Sequence, residues 1–355
     1  MLKLAGLQRL VEDQKALIFR KSFFYLLLYL KPKLITMRKL IFLLSFFTVL
    51  TTIIIACNNN ESKEPTISTT SKEDSAKAVV ARGEYLVNNV AVCLVCHGER
   101  DHTKFAMPVI AGTEGGGPPY AFGQGMGVPG EITPPNITPF KLKDWSDDDI
   151  IKAMTQGVNK KGDTLFPLMP YHAYSRLAKD DINSIIAYLR TLKSIDKADV
   201  PKKLMIPATM FGPLPANTLD QNKRPDPSDK VKYGEYLVTT ASCIDCHTPM
   251  TPQGPDFSKA FSGGLHFKSD FVDVTTANIT PDSTTGIGSW SEEMFLTKFK
   301  TNLEATEKGV DPGKLNTEMP WANYAKMNQE DLKAIYAYLR TLPPIKNKVE
   351  KWSTK

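Results

Sequence analysis

The run Cys93-Leu94-Val95-Cys96-His97 carries the residues whose types and spacing point most directly to chemistry, and it returns as Cys243-Ile244-Asp245-Cys246-His247. Two thiols three residues apart, with an imidazole directly after the second, form the attachment pattern of covalent haem. The sulfurs add across the two vinyl groups of the porphyrin and the imidazole takes one axial position on iron. On a helix the spacing has a geometric reason, because residues three and four apart share a face and can meet one flat ligand together. Two copies predict two haem c groups. A disulfide, a zinc site and a thioredoxin-like redox pair are the other readings of such cysteines. Zinc asks for further Cys or His at finger spacing, and a redox pair has no need of the trailing His. The doubled His favours haem.

The elements that must position these residues are repeated as well. Arg82-Gly83-Glu84-Tyr85-Leu86-Val87 is answered by Tyr233-Gly234-Glu235-Tyr236-Leu237-Val238, and Asn136-Ile137-Thr138-Pro139 by Asn278-Ile279-Thr280-Pro281. Trp145-Ser146 returns as Trp290-Ser291, Met169-Pro170-Tyr171 as Met319-Pro320-Trp321, and Ala187-Tyr188-Leu189-Arg190-Thr191-Leu192 as Ala337-Tyr338-Leu339-Arg340-Thr341-Leu342. First cysteine, Met-Pro and closing segment are each displaced by 150 positions, and 72 positions separate His from Met in both halves. Asn is displaced by 142 and Trp by 145, so the loops between the markers differ in length. This pattern predicts duplication of one design.

Each half should open with a short helix leading into Cys-x-x-Cys-His and close with a longer one. Ile182, Ile185, Ile186 and Leu189 recur as the stripe of an amphipathic helix behind Asp180 and Asp181, and Leu332, Ile335, Tyr336 and Leu339 repeat it behind Asn328, Glu330 and Asp331. The intervening segments are rich in Gly and Pro, as in Gly115-Gly116-Gly117-Pro118-Pro119, and read as loops. That cluster lacks the Gly-Lys-Ser/Thr ending of a phosphate loop.

The formal charge of +6 is misleading as a guide to partners. Residues 1–57 hold nine Lys or Arg against Glu12 and Asp13, so the remainder carries a net −1 and offers no basis for nucleic-acid binding. Met37-Arg38-Lys39 begins a basic, then apolar, export signal running to Ala56, and Ile54-Ile55-Ala56-Cys57 resembles a bacterial lipobox in which Cys57 is acylated. The chain would then hang by lipid on the periplasmic side of a membrane. An uncleaved N-terminal transmembrane anchor is the alternative, and both readings export the rest. Residues 1–36 are either a second membrane segment near Phe23–Leu30 or an upstream start ahead of Met37. Residues 58–78, poor in large apolar side chains, read as a flexible tether. Residues 194–230, with six prolines, read as an extended strap whose apolar part from Leu204 to Leu214 packs on one half or between them.

Helix, Cys-x-x-Cys-His, long irregular loops, Met-Pro and a final helix ending in Tyr-Leu-Arg-Thr-Leu resemble a class I cytochrome c domain, twice over. The stretch Asn278-Ile279-Thr280-Pro281-Asp282, then Thr285-Gly286-Ile287-Gly288 and Trp290-Ser291, is similar to multi-haem cytochrome subunits that accept electrons from membrane-associated alcohol, aldehyde and sugar dehydrogenases. The likeness covers roughly residues 80–345; the first half lacks the Asp and the Thr-Gly-Ile-Gly stretch. The resemblance implies all-α cytochrome c domains at 79–193 and 231–347, to which the residue readings above add signal and extension at 1–57, tether at 58–78 and strap at 194–230. It also implies covalent haem at Cys93, Cys96, Cys243 and Cys246, with iron between His97 and Met169 in one half and between His247 and Met319 in the other. Proline directly after each Met keeps it out of helix, suited to a loop that leans a thioether over the ring. Gly83 and Gly234 would let the opening helix cross the closing one beneath Tyr188 and Tyr338. His172 lies near enough to Met169 to compete for iron, whereas His102 and His266 have no counterparts. Trp145, Trp290, Asn136 and Asn278 are either core residues or donors to haem propionates.

Three functions follow. Electron transfer between a redox protein donor, such as a dehydrogenase, and an acceptor such as an oxidase or another cytochrome needs two six-coordinate irons. A di-haem peroxidase needs an open position, and a thiosulfate dehydrogenase a spare Cys; the five cysteines are four anchors and Cys57. A gas-binding lipoprotein would need a five-coordinate iron. The paired Met-Pro favours the first.

Overall fold

The computed structural model describes residues 69–123, 128–313 and 315–352. The export signal, Cys57 and residues 58–68 of the tether lie outside the described residues. The helices are α1 (Thr69–Tyr85), continued by a π-helical turn Leu86–Val90, then α2 (Cys93–His97), α3 (Pro139–Leu142), α4 (Asp147–Gln156), α5 (Tyr171–Tyr174) and α6 (Lys179–Leu189). After the strap come α7 (Lys230–Thr240), α8 (Cys243–Cys246), α9 (Glu292–Glu307), α10 (Trp321–Tyr324) and α11 (Gln329–Leu339). Strands are few and short: Gly130–Glu131 pairs antiparallel with Lys203–Leu204, Met250–Thr251 with Gly254–Pro255, and His266–Lys268 with Asp273–Thr275.

Two expectations need correction here. The first opening helix is long rather than short, and its N-terminal part takes in residues 69–78 of the predicted tether. Residues 73–78 are exposed, so tertiary burial does not hold them. Ala76, Ala78 and Ala81 and the Glu73–Lys77 ion pair at 2.8 Å, one helical turn apart, carry the helix outward from the buried Leu86, Val87 and Val90. The apolar part of the strap is also mostly uncovered, with Met205 66% and Met210 70% exposed. Main-chain hydrogen bonds hold the strap there, from the Lys203–Leu204 ladder and from Met205 N–H to the Pro129 carbonyl at 2.9 Å. Side chains pin it only later, where Leu219 is buried and Asn222 donates to the Ser175 and Leu177 carbonyls at 2.6 and 3.0 Å.

The repeated residues take repeated positions. Ser146 and Ser291 are N-caps, each accepting from the N–H three residues on, which explains Trp-Ser as a helix start. Arg190 donates to the carbonyls of Leu142 and Trp145, and Arg340 to those of Ile287 and Gly288, so the Arg of each Tyr-Leu-Arg tethers the loop ahead of α4 or α9. The predicted stripes face the core: Ile182, Ile185, Ile186, Leu189, Leu332, Ile335 and Leu339 are buried, and Tyr336 half-buried. At the helix crossings there is no room for a side chain. A Cβ on Gly83 would stand 1.8 Å from the Ser184 oxygen, and one on Gly234 1.9 Å from the Ala334 oxygen, with the Cβ atoms of Tyr188 and Tyr338 alongside.

The halves are joined crosswise. Tyr85 on α1 donates to the Asp331 carboxylate at 2.6 Å and accepts from the Asn328 N–H at 3.1 Å. Tyr236 on α7 does the same to Asp181 at 2.7 Å and the Ala178 N–H at 3.2 Å. Each opening helix therefore satisfies the start of the other half's closing helix. Asp181 also receives both arms of Arg82, at 3.0 and 2.8 Å, and Arg224 at 2.8 Å. Burial would raise its carboxyl, but these partners together hold it below the usual range. Asp331, without a guanidinium in contact, is raised by burial. Among the described residues no helix is long and apolar enough to cross a membrane.

Gly234→Ala should therefore cost about 3 kcal/mol, the upper end of overpacking, seen as a lower urea midpoint with an unchanged slope. A parent midpoint would mean that α7 and α11 can part freely. Because the folded Asp181 binds fewer protons than the unfolded chain near and below pH ~4, its contribution is present above that range and lost as pH falls through the lower folded value. Asp181→Asn should lower stability at pH 7 by about 3 kcal/mol and flatten the acid limb of the stability profile relative to the parent. Parallel acid limbs would show that Asp181 is not held ionised.

Candidate functional site

His97 ends α2, its ring is buried, and its Nδ1 lies 2.7 Å from the Pro135 carbonyl oxygen. His247 follows α8, is half-buried, and its Nδ1 lies 2.7 Å from the Ala277 carbonyl oxygen. A carbonyl can only accept, so Nδ1 carries the proton in both rings and Nε2 keeps its lone pair for a metal. Desolvation lowers both imidazoles, with only partial opposition from these hydrogen bonds, and this keeps them neutral.

The carbonyls are themselves held from the adjacent residue. Asn136 Nδ2 donates to Ile195 O at 2.8 Å and its Oδ1 accepts from Thr138 N–H and hydroxyl at 2.9 and 2.7 Å. Asn278 repeats this with Ile345 O at 2.7 Å and Thr280 at 2.9 and 2.7 Å. Both amides clamp the chain that leaves the closing helix, so these two Asn have a positioning role and are not free donors to a propionate. Gly117 N–H and Gly263 N–H reach the carbonyls of His97 and His247 at 2.8 and 2.7 Å, fixing the end of each Cys-x-x-Cys-His turn.

Cys93, Cys96 and Cys243 are half-buried, Cys246 is exposed, and all four thiols are unpaired. Burial pushes Cys93 and Cys243 up to about 12 and raises Cys96, whereas a redox dithiol would be lowered. Among the described residues no three His, Cys, Asp or Glu gather as a metal site of their own. Cys246 is raised to about 12 as well, by desolvation first and then by Asp245 and Cys243.

Met169 and Met319 are half-buried against the core, each ahead of a Pro outside helical geometry (Pro170 ψ 52°, Pro320 ψ 65°). The sequence reading missed what ties them to the cysteines. Tyr174, at the end of α5, donates to the Ala91 carbonyl at 3.0 Å, and Tyr324, at the end of α10, to the Ala241 carbonyl at 2.7 Å. Each accepting carbonyl lies two residues before the first Cys of its half, and the signal that could have found the pair is their separation of 150. Val92 and Ser242, directly before those cysteines, both take left-handed backbone (φ 46° and 53°), a conformation costly for Val.

The remaining predicted candidates are not gathered here. His172 is exposed and lies against its neighbour Tyr171 at 4.6 Å. His102 stacks on Phe271 at 4.3 Å, and His266 pairs with Asp273 at 2.7 Å. Trp145 and Trp290 pack on the core, and their carbonyls accept from Arg190 and Tyr336.

These residues fit a haem c group. Two thiols on one turn, a neutral imidazole with a free Nε2 and a core-facing thioether supply its anchors and axial donors. Arg100 Nη2, three positions past His97, is buried with no partner among the described residues, as is Ser242 Oγ beside Cys243. A group bringing two carboxylates suits a spare buried guanidinium donor.

Residues 231–343 match the family model described as cytochrome c. This part of the chain is a cytochrome c domain, which implies covalently bound haem c, and Cys243, Cys246 and His247 lie within it. The chain is 28% identical over 299 residues (78% of its length) to the gluconate 2-dehydrogenase cytochrome c subunit of Pantoea cypripedii, and spans 62% of that protein. It is 29% identical over 276 residues (74%) to the fructose dehydrogenase cytochrome subunit of Gluconobacter japonicus, spanning 52% of it. It is 26% identical over 263 residues (71%) to a dihaem cytochrome c-type protein of Cereibacter sphaeroides, spanning 82% of that one.

Tyr174→Phe and Tyr324→Phe should each cost about 1–3 kcal/mol in urea unfolding, because each leaves a buried carbonyl without its donor. A neutral result in either would mean that the hydroxyl is not what ties α5 or α10 to its cysteine turn.

Proposed function

We propose that the chain is a di-haem electron carrier, with residues 79–193 forming a second domain of the same design as residues 231–343. The observation that carries this reading is the arrangement that occurs twice: a Cys-x-x-Cys-His turn whose His donates Nδ1–H to a carbonyl pinned through the following Asn. Cys93 and Cys96 anchor one group and Cys243 and Cys246 the other. His97 with Met169, and His247 with Met319, would hold the iron of the two groups. Bound haem c supplies reversible one-electron chemistry, at a potential that thioether ligation sets higher than two imidazoles would.

The chain's own residues then have four tasks: to anchor, to orient the imidazoles, to keep water from the iron, and to leave no open coordination position for a substrate. With both positions filled there is no bond chemistry to perform, which favours a carrier over a peroxidase-like or thiosulfate dehydrogenase-like enzyme. The relatives named for gluconate and fructose dehydrogenases support a dehydrogenase as donor, with an oxidase or another cytochrome as acceptor. Acylation at Cys57 would hold the carrier on the periplasmic side of a membrane within reach of such partners, and a lipid-labelling experiment on Cys57→Ser tests that anchor.

Two measurements test the core of the proposal. Intact mass of the exported protein should exceed the polypeptide by two haem groups, and by one in Cys243→Ala/Cys246→Ala. Carbon monoxide should leave the reduced spectrum unchanged. Met169→Leu and Met319→Leu should each remove half of the absorption band of methionine-ligated ferric haem and admit one equivalent of carbon monoxide. A parent that already takes up carbon monoxide favours the enzyme reading, and an intact band in both variants overturns the ligand assignment.

A further inference from the structure

The two halves are alike in most positions that build the site, and they differ at the loop that delivers the methionine. The residues ahead of Met169 are Phe166-Pro167-Leu168; those ahead of Met319 are Asn316-Thr317-Glu318. The first loop makes main-chain bonds within its own half, with Leu165 N–H on the Gly157 carbonyl at 2.8 Å and Met169 N–H on the Phe166 carbonyl at 3.2 Å.

The second loop closes on the other half. Arg100 Nη1 meets the Glu318 carboxylate at 2.8 Å, with side chains 7% and 17% exposed. The same guanidinium donates through Nε to the Met107 carbonyl at 3.1 Å, so the loop after the first Cys-x-x-Cys-His is folded around it. Asn316, buried, accepts from the Ala106 N–H at 2.9 Å and donates to the Lys104 carbonyl at 3.1 Å. Phe105 N–H adds a bond to the Val310 carbonyl at 3.1 Å. The path then runs to the ligand: Asn316 Oδ1 accepts from Thr317 N–H at 2.9 Å, and Thr317 Oγ1 accepts from Met319 N–H at 3.1 Å. On the other side, the position 150 beyond Arg100 is Met250, which is exposed and has no such charge to offer.

We propose that Arg100 and Asn316 are positioning residues through which the first half holds the Met319 loop, so that sulfur ligation at the second centre depends on this contact between the two halves. This rests on the reading of Met319 as an axial ligand. The physical reason is that Asn316 is buried and Glu318 half-buried, both are polar, and their side-chain partners Ala106, Lys104 and Arg100 lie across the junction. If the junction loosens, the loop keeps a buried carboxylate and amide without partners, and it is released toward water.

The test uses the exported holoprotein and the methionine-to-ferric-iron band, whose two contributions are told apart with the Met→Leu variants. Asn316→Ala should remove up to half of the band and admit up to one equivalent of carbon monoxide. Combined with Met169→Leu it should remove nearly all of the band, and combined with Met319→Leu it should remove no more than Met319→Leu alone. Arg100→Lys keeps the charge and loses the fork, and should give a partial loss at the same centre, recorded alongside far-ultraviolet circular dichroism. It is the reference if Asn316→Ala does not accumulate. Loss at the first centre, equal loss at both, or an intact band in Arg100→Lys and Asn316→Ala overturns the inference. An intact band in Met319→Leu itself would instead overturn the ligand reading on which it rests.

Discussion

The constraint on which the rest of the site depends is that each imidazole must spend Nδ1 on a main-chain carbonyl. A free imidazole would rotate and exchange tautomers, and its Nε2 would present a lone pair only part of the time. Pro135 and Ala277 supply the carbonyls, but a loop carbonyl is no fixed object by itself. It is fixed because the next residue, Asn136 or Asn278, has its side-chain amide tied to the segment emerging from the closing helix. The closing helix is placed in turn by its crossing with the opening helix at Gly83 or Gly234, and the opening helix leads into the cysteine turn. The chain of dependence is a closed ring, and cutting it anywhere disturbs the imidazole.

Two such rings share one core, and their junction explains why buried carboxylates are tolerated. A carboxylate buried without a partner would be strongly unfavourable. Asp181 and Asp331 each receive a tyrosine hydroxyl from the opposite half, and each of those hydroxyls also takes a helix-start N–H. The exchange is symmetric in hydrogen bonds and asymmetric in charge, since Arg82 and Arg224 converge on Asp181 alone. The first closing helix therefore starts at an ion-paired carboxylate and the second at one that burial pushes toward protonation.

What was legible in the sequence is what repeats. The paired helices, the crossing glycines, the buried stripes and the Trp-Ser starts recur at matched positions, and each marks a contact made within one half. Asn136 and Asn278 were visible as residues but not as roles, because an amide clamp and a propionate donor leave the same mark on a sequence. The crosswise Tyr85–Asp331 and Tyr236–Asp181 contacts were hidden although all four residues repeat, since a repeat does not say whether a partner lies in its own half or the other. The helical start at Thr69 was misread because its composition resembles that of a tether while local propensity and a neighbouring buried turn carry the helix outward. The apolar strap was misread for the opposite reason: hydrophobicity suggested packing where a two-residue ladder holds the backbone and leaves Met205 and Met210 in solvent.

The departures from the repeat carry a different kind of information. Where both halves keep a residue, each half uses it for itself or exchanges it in kind. Arg100 faces Met250 across the repeat, and Asn316-Thr317-Glu318 faces Phe166-Pro167-Leu168, so at these positions neither half can do for its neighbour what its neighbour does for it. A buried ion pair between Arg100 and Glu318 is a poor source of net stability compared with apolar side chains of the same volume, and apolar side chains are what the first half has there. Its effect is geometric: it permits one registry of the second methionine loop against the first cysteine turn and penalises the others. The second methionine loop is thereby braced across the junction, against the segment that follows the first cysteine turn.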